Sequence, residues 1–178
     1  MGANGEALMR LKFFLLLLLA VFPLCLAPAR STPPTAPQGV PRAAIDPFLG
    51  TWKLNLAKST YNPGPPPQHQ TYTFEPADDN GVKFTAAGVD ARGNPIHIEY
   101  TGHFDGKEFP VRGNRNSSRV VLQRIDLYTV EGENRQDGKV IRRFRRTVTP
   151  DGKTMTVMEK GTDVNGVVSE NVVVYDRQ

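Results

Sequence analysis

Residues 137–166 read DGKVIRRFRRTVTPDGKTMTVMEKGTDVNG. Two runs rich in β-branched residues, Lys139 to Val148 and Thr154 to Thr162, lie between the pairs Asp137-Gly138, Asp151-Gly152 and Asn165-Gly166. Asp, Asn and Gly all tolerate positive φ. Such a pair between alternating segments is therefore the strongest short-range hairpin signal. This stretch predicts antiparallel strands joined by tight turns.

The same pattern extends in both directions. Val167 to Tyr175 follows the last turn, and Tyr128 to Arg135 and Arg119 to Ile125 precede the first. Pro95 to Phe104 places Ile96, Ile98, Tyr100 and Phe104 on one face and His97, Glu99, Thr101 and His103 on the other. Asp105-Gly106 is then expected to turn the chain into Lys107 to Arg112. Gln70 to Glu75 and Val82 to Val89 flank an Asp-Asp-Asn-Gly turn at 78–81. Gly50 to Leu56 puts Trp52, Leu54 and Leu56 on one side. Tyr61 to Pro67, with four prolines, must be a rigid loop. About ten strands and no helix predict an all-β protein, an antiparallel up-and-down meander. A long meander without covering helices hides its edges by closing into a small barrel.

Before the strands comes a different kind of sequence. Arg10 and Lys12 precede the leucine-rich run Phe13 to Leu26, and Ala27-Pro28-Ala29 follows it. A basic region, an apolar region and an A-x-A site make a cleavable signal peptide over residues 1–29. The run is shorter than the ~20 residues that cross a bilayer, so no stable span is expected after cleavage. Residues 30–44, with prolines at 33, 34, 37 and 41, form an expected disordered linker. The barrel domain is expected over 45–178. The protein is expected to be exported, periplasmic or secreted. Cys25 is the only cysteine. Phe22-Pro23-Leu24 before it is a poor lipobox, and it departs with the leader. The remaining chain has no thiol, which excludes disulfide scaffolds, thiol catalysis and Cys-based zinc sites.

The formal net charge is +4, and the leader holds two of the cations and one of the anions, leaving +3. That suits an anionic ligand or surface without demanding one. There is no dense basic stretch interleaved with aromatics of the kind a nucleic-acid platform needs, so nucleic acid is not expected as a partner. A monomer is expected, and no cofactor is implied.

Few residues propose chemistry. His97, Glu99 and His103 share a face, but six residues of strand hold the histidines about 20 Å apart, too far for one metal ion. There is no Gly-x-Ser-x-Gly elbow and no phosphate loop, so an enzyme is not expected. Arg142, Arg143, Arg145 and Arg146 surround Phe144. If Val140, Phe144 and Val148 face inward, so do Arg142 and Arg146. The opposite parity sends Arg143 and Arg145 inward. A solvated cationic face is the third reading. A cation inside a barrel needs counter-charge or an anionic ligand. Arg142, Arg146 and Tyr100 are candidate ligand contacts, with a small apolar or anionic amphiphile as the expected partner; the alternative is a non-enzymatic envelope or interaction module whose barrel is filled with side chains.

From Asp46-Pro47-Phe48-Leu49-Gly50-Thr51-Trp52-Lys53-Leu54 onward the chain resembles the calycins. The G-x-W at Gly50 and Trp52 is similar to lipocalins, and Phe-Leu-Gly-Thr-Trp-Lys-Leu is similar to the intracellular fatty-acid-binding proteins. Val172-Val173-Val174-Tyr175-Asp176 resembles the last strand of that second family. The chain also resembles small exported lipocalin-like bacterial proteins that share the Gly-Thr-Trp-Lys-Leu-Asn and Pro-Gly-Pro-Pro-Pro runs. The resemblance implies a barrel with Trp52 plugging its closed end, Gly50 beside it as a structural residue, and Tyr175 as a ligand contact. It also shows two departures. The helical lid is replaced by Asn62 to Pro67, and the arginine that would precede Tyr175 by two residues reads Val173. Fatty-acid binding therefore does not carry over.

Overall fold

The computed structural model describes residues 46–178. The expected signal peptide and linker, with Cys25, lie outside the described residues. Ten strands follow in chain order: β1 (Gly50–Leu54), β2 (His69–Ala77), β3 (Gly81–Val89), β4 (Pro95–Gly102), β5 (Asp105–Arg112), β6 (Arg119–Asp126), β7 (Thr129–Gln136), β8 (Lys139–Val148), β9 (Thr154–Thr162) and β10 (Val168–Arg177). Each pairs antiparallel with its sequence neighbour. β1 also pairs with β10, with Trp52 opposite Arg177 and Leu54 opposite Tyr175, so the sheet closes and leaves no free edge. The all-β meander and its closure are as the sequence predicts. The helical content of the described residues is two single 3₁₀ turns, Leu56–Lys58 and Asp78–Asn80.

The turns follow the Asp-Gly and Asn-Gly signals with one exception. At Asp137-Gly138 both residues have positive φ, 49° and 75°, as a two-residue hairpin requires. Asp105-Gly106, expected as a turn, instead opens β5, and the chain reverses at His103-Phe104. Gly106 takes φ 78° beside a register shift between Asp105 and Glu108, so the flexible pair serves a bulge rather than a hairpin. A second correction concerns Leu56. It was expected beside Trp52 and Leu54, but the strand ends at Leu54. The Asn55 side chain accepts from Lys58 N–H and caps a 3₁₀ turn, leaving Leu56 42% exposed.

One end of the barrel is plugged. Phe48 and Trp52 are 1% and 0% exposed, and the Trp52 indole Nε1 donates to Phe48 O at 2.8 Å. Arg177 lies over the indole, 4.1 Å from its centroid, and donates to the carbonyls of Leu49 (2.6 Å), Pro47 and Gly152. Gly50 takes φ 118°, a conformation that favours glycine, and a Cβ there would also sit 2.7 Å from the Arg177 Nη1. Arg124 pairs with Asp46 and covers Phe104 at 4.1 Å, tying the entering chain to the plug. Above this floor, Phe74, Phe84, Leu122, Val130, Met155 and Val157 fill the core.

Candidate functional site

The inner face of the barrel changes character along its axis. On β2, Phe74 and Tyr72 are buried but Gln70 is half-exposed. On β4, Tyr100 is buried while Ile98 and Ile96 are not, and on β9 Val157 is buried where Glu159 is not. β8 and β10 show the same step, from Phe144 to Arg142 and from Val173 to Asn171. Strand alternation keeps all these residues on the inward face. Burial therefore falls along the inward face toward the end opposite Trp52, where these half-buried residues rim a cup whose floor is an aromatic layer.

That floor is built from stacked rings. Tyr72 lies on Tyr175 at 4.3 Å and Phe84 on Tyr100 at 4.8 Å, with Phe84 edge-on to Tyr72 at 4.9 Å. Burial pushes the Tyr72 hydroxyl up to about 12, with the Glu159 carboxylate adding to the effect. Burial, then the neighbouring Tyr72, raises Tyr175 well above the ordinary phenol value. Both are neutral hydrogen-bonding groups at physiological pH. The Tyr175 hydroxyl lies 2.8 Å from Gln70 Oε1, to which it donates.

Arg146 is set in this layer, only 7% exposed. Its guanidinium lies 4.3 Å from the Phe144 ring centroid and 4.9 Å from that of Phe84. Its Nη1 donates to the Tyr100 hydroxyl at 2.8 Å, and its buried Nε has no partner. No carboxylate among the described residues lies within 4.0 Å of it. Burial works against the charge, but Tyr100, Tyr72 and Glu159 more than offset this, and its pKa stands above the ordinary guanidinium value. Higher in the cup Arg142 meets Glu159 at 3.4 Å, with side chains 29% and 15% exposed.

The inward parity of Phe144 thus prevails on β8, and Arg142 and Arg146 enter the barrel. The fully solvated reading fails at Arg146. Arg143 and Arg145 face outward and pair with Glu133 (3.0 Å) and Glu131 (3.1 Å) of β7. The structure brings together Arg142, Arg146, Tyr100 and Tyr175, the four ligand candidates, around one cup. His97 lies against Glu99 at 3.7 Å, whereas His103 packs on Phe109 at 5.6 Å, so the two histidines go to different neighbours.

Sequence reasoning missed Glu159, Tyr72 and Gln70 at the site, and Arg177 at the plug. Strand parity would have placed Glu159 inward, two residues from Val157. A cleft of about 600 Å³ also opens across β6 to β10, lined by Val121, Met158 and Lys160 together with Phe144, Glu159 and Asn171.

The chain matches no protein-family model and no curated protein. Its structure is similar to that of a point variant of the fluorescent protein UnaG. The TM-score is 0.51 and the identity 17%, covering 74% of this chain and 96% of that one. Wild-type UnaG aligns at TM-score 0.49 and 17% identity over 74% and 97% of the two chains. A redesigned β-barrel aligns at 0.44 and 16% over 74% and 92%. Ten antiparallel strands closed in meander order behind a Gly50-x-Trp52 plug share the closed-barrel fold of that UnaG variant, which is the fold that the resemblance to the calycins implies.

Proposed function

We propose that the protein is an exported, non-enzymatic carrier or sensor that holds a small monoanionic amphiphile in the cup. The observation that carries this reading is the charge inside the barrel. Two guanidiniums, Arg142 and Arg146, face one carboxylate, Glu159, and the more deeply buried guanidinium keeps an unfilled donor. A buried cation without a counter-ion is costly unless something supplies the missing charge. A ligand anion beside Arg146 would do so. The ligand's apolar body would lie against Ile96, Ile98 and the Tyr72–Tyr175 stack. Residues 1–29 would direct export and be removed, and residues 30–44 would tether the barrel.

Native mass spectrometry of protein recovered from its own compartment, followed by a screen of anionic amphiphiles, tests the reading. Arg146→Met should weaken binding of a hit by about 1.5–3 kcal/mol, the range for a hydrogen bond to a charged group. Arg143→Gln, on the outside, should leave it unchanged. Absence of any copurified ligand and of any hit in the screen would refute the carrier reading. A barrel acting through its surface would then be favoured.

A further inference from the structure

We propose that the open end of the barrel docks on an anionic lipid bilayer, with the β9–β10 hairpin entering the interface. This does not depend on what the cup holds. The tip of that hairpin is Val164-Asn165-Gly166-Val167-Val168. Its three valines are 54%, 46% and 63% exposed, at positions where turns ordinarily carry polar residues. The neighbouring loop adds exposed Pro63, Pro65 and Pro66. It is held alongside by Glu170 N–H donating to Asn62 O at 2.7 Å and Asn62 N–H donating to Asn171 Oδ1 at 3.0 Å. Two adjacent loops thus present one apolar rim.

The tip is also preorganised. Asp163 Oδ1 accepts from the N–H groups of Asn165 and Val167, both at 2.9 Å, so the acidic group is turned into its own hairpin. Asp90 does the same in the β3–β4 loop, accepting from Arg92 N–H and Asn94 N–H at 2.8 Å.

Charge complementarity names the occupant. The other loops of this rim carry Arg92, Arg112, Arg115, Arg119 and Lys139, all exposed. Of these five, only Arg112 has a carboxylate of the described residues within 4.0 Å, Glu99 at 3.7 Å. The β7–β8 turn adds one exposed acid, Asp137, to this rim, whereas the loops of the opposite end carry Asp78, Asp79, Asp105, Asp126 and Asp151 against Lys107 and Lys153. The molecule is therefore polarised along the barrel axis and would meet a negative surface mouth first. Apolar residues in the interface with basic residues at the headgroups are the two components of reversible binding to anionic membranes.

The test uses the full chain and reports which end touches lipid, whatever else in the chain binds. Val167→Trp places a probe on the hairpin, and Lys107→Trp places one at the opposite end. The native Trp52 is buried and contributes a constant background. Vesicles of phosphatidylglycerol and phosphatidylcholine should shift the Val167→Trp emission to the blue, and brominated lipid should quench it. The Lys107→Trp probe should not respond. Adding Arg112→Gln, Arg115→Gln and Arg119→Gln should raise the lipid concentration needed for half the shift by about tenfold or more, as should salt. An unshifted Val167→Trp probe on anionic vesicles would overturn the proposal. So would an equal response on pure phosphatidylcholine, or one insensitive to the arginine changes.

Discussion

At the scale of single residues, two arginines at opposite ends of the barrel are held in different ways. Arg177 is fully used. Its guanidinium covers Trp52 and donates to three carbonyls, which closes the plug. Trp52→Ala should cost about 3–5 kcal/mol in urea unfolding, the usual loss for a large core aromatic. A native emission maximum typical of an exposed indole would contradict that placement. Arg146 is not fully used, because its Nε is unpaired. A buried charge without a counter-ion carries a desolvation cost that an apolar side chain of similar length does not. Arg146→Met should therefore leave the ligand-free protein as stable as wild type or up to about 2 kcal/mol more stable. A large loss of stability would show that the guanidinium serves the fold. Gly132 is a third case. A Cβ there would lie 2.4 Å from Phe144 Cζ and 2.5 Å from the Val121 carbonyl oxygen. Gly132→Ala should destabilise by about 1–3 kcal/mol through overpacking, measurable by the same denaturation.

At the scale of elements, the strands are unequally bound to one another. β9 and β10 register over nine residues, from Val168 opposite Thr162 to Asp176 opposite Thr154. β4 and β5 register only at Glu99–Arg112 and Tyr100–Val111. Amides of β5 should exchange with deuterium well before those of β9 and β10, since local opening follows the weakest pairing. Equal protection around the barrel would contradict the seam. On the outside of β7 and β8, ion pairs within and between the strands replace apolar contact. Glu133 accepts from Arg135 at 2.7 Å and Arg143 at 3.0 Å, and the Arg135 hydrogen bonds first of all hold its carboxyl below the ordinary glutamate value. A carboxyl depressed in the folded state stabilises fully above its unfolded pKa, and that contribution is lost as pH falls through the folded value. Glu133→Gln should cost about 0.5–1 kcal/mol near neutral pH. The difference from wild type should close as the pH drops below the ordinary glutamate range. A gap that persists in acid would assign the loss to packing rather than charge.

At the scale of the whole molecule, export remains an expectation drawn from residues 1–29. Intact mass measurement of protein from a secreting host should find a chain lacking those residues. A full-length mass would argue for a retained anchor. Much of the rest was legible without coordinates. Period-two patterning and the Asp-Gly and Asn-Gly pairs determined the strands and most turns, because side-chain alternation and positive φ are local properties of the chain. The G-x-W motif, by its resemblance to the calycins, placed Trp52 at the plug. Local rules misassigned Leu56 and Asp105-Gly106, since a capped 3₁₀ turn and a β-bulge use the same residues as a strand end and a hairpin. The sequence also narrowed the arginine cluster to two parities but could not choose between them. That choice depends on what faces β8 across the barrel: the Phe84 ring and the Tyr100 hydroxyl, which make a place for one guanidinium, and the β7 glutamates, which hold Arg143 and Arg145 outside. Sequence alone determined the strands and the class of fold. Only the tertiary structure decided which charges lie inside, because burial and counter-charge are properties of neighbours far apart in the chain.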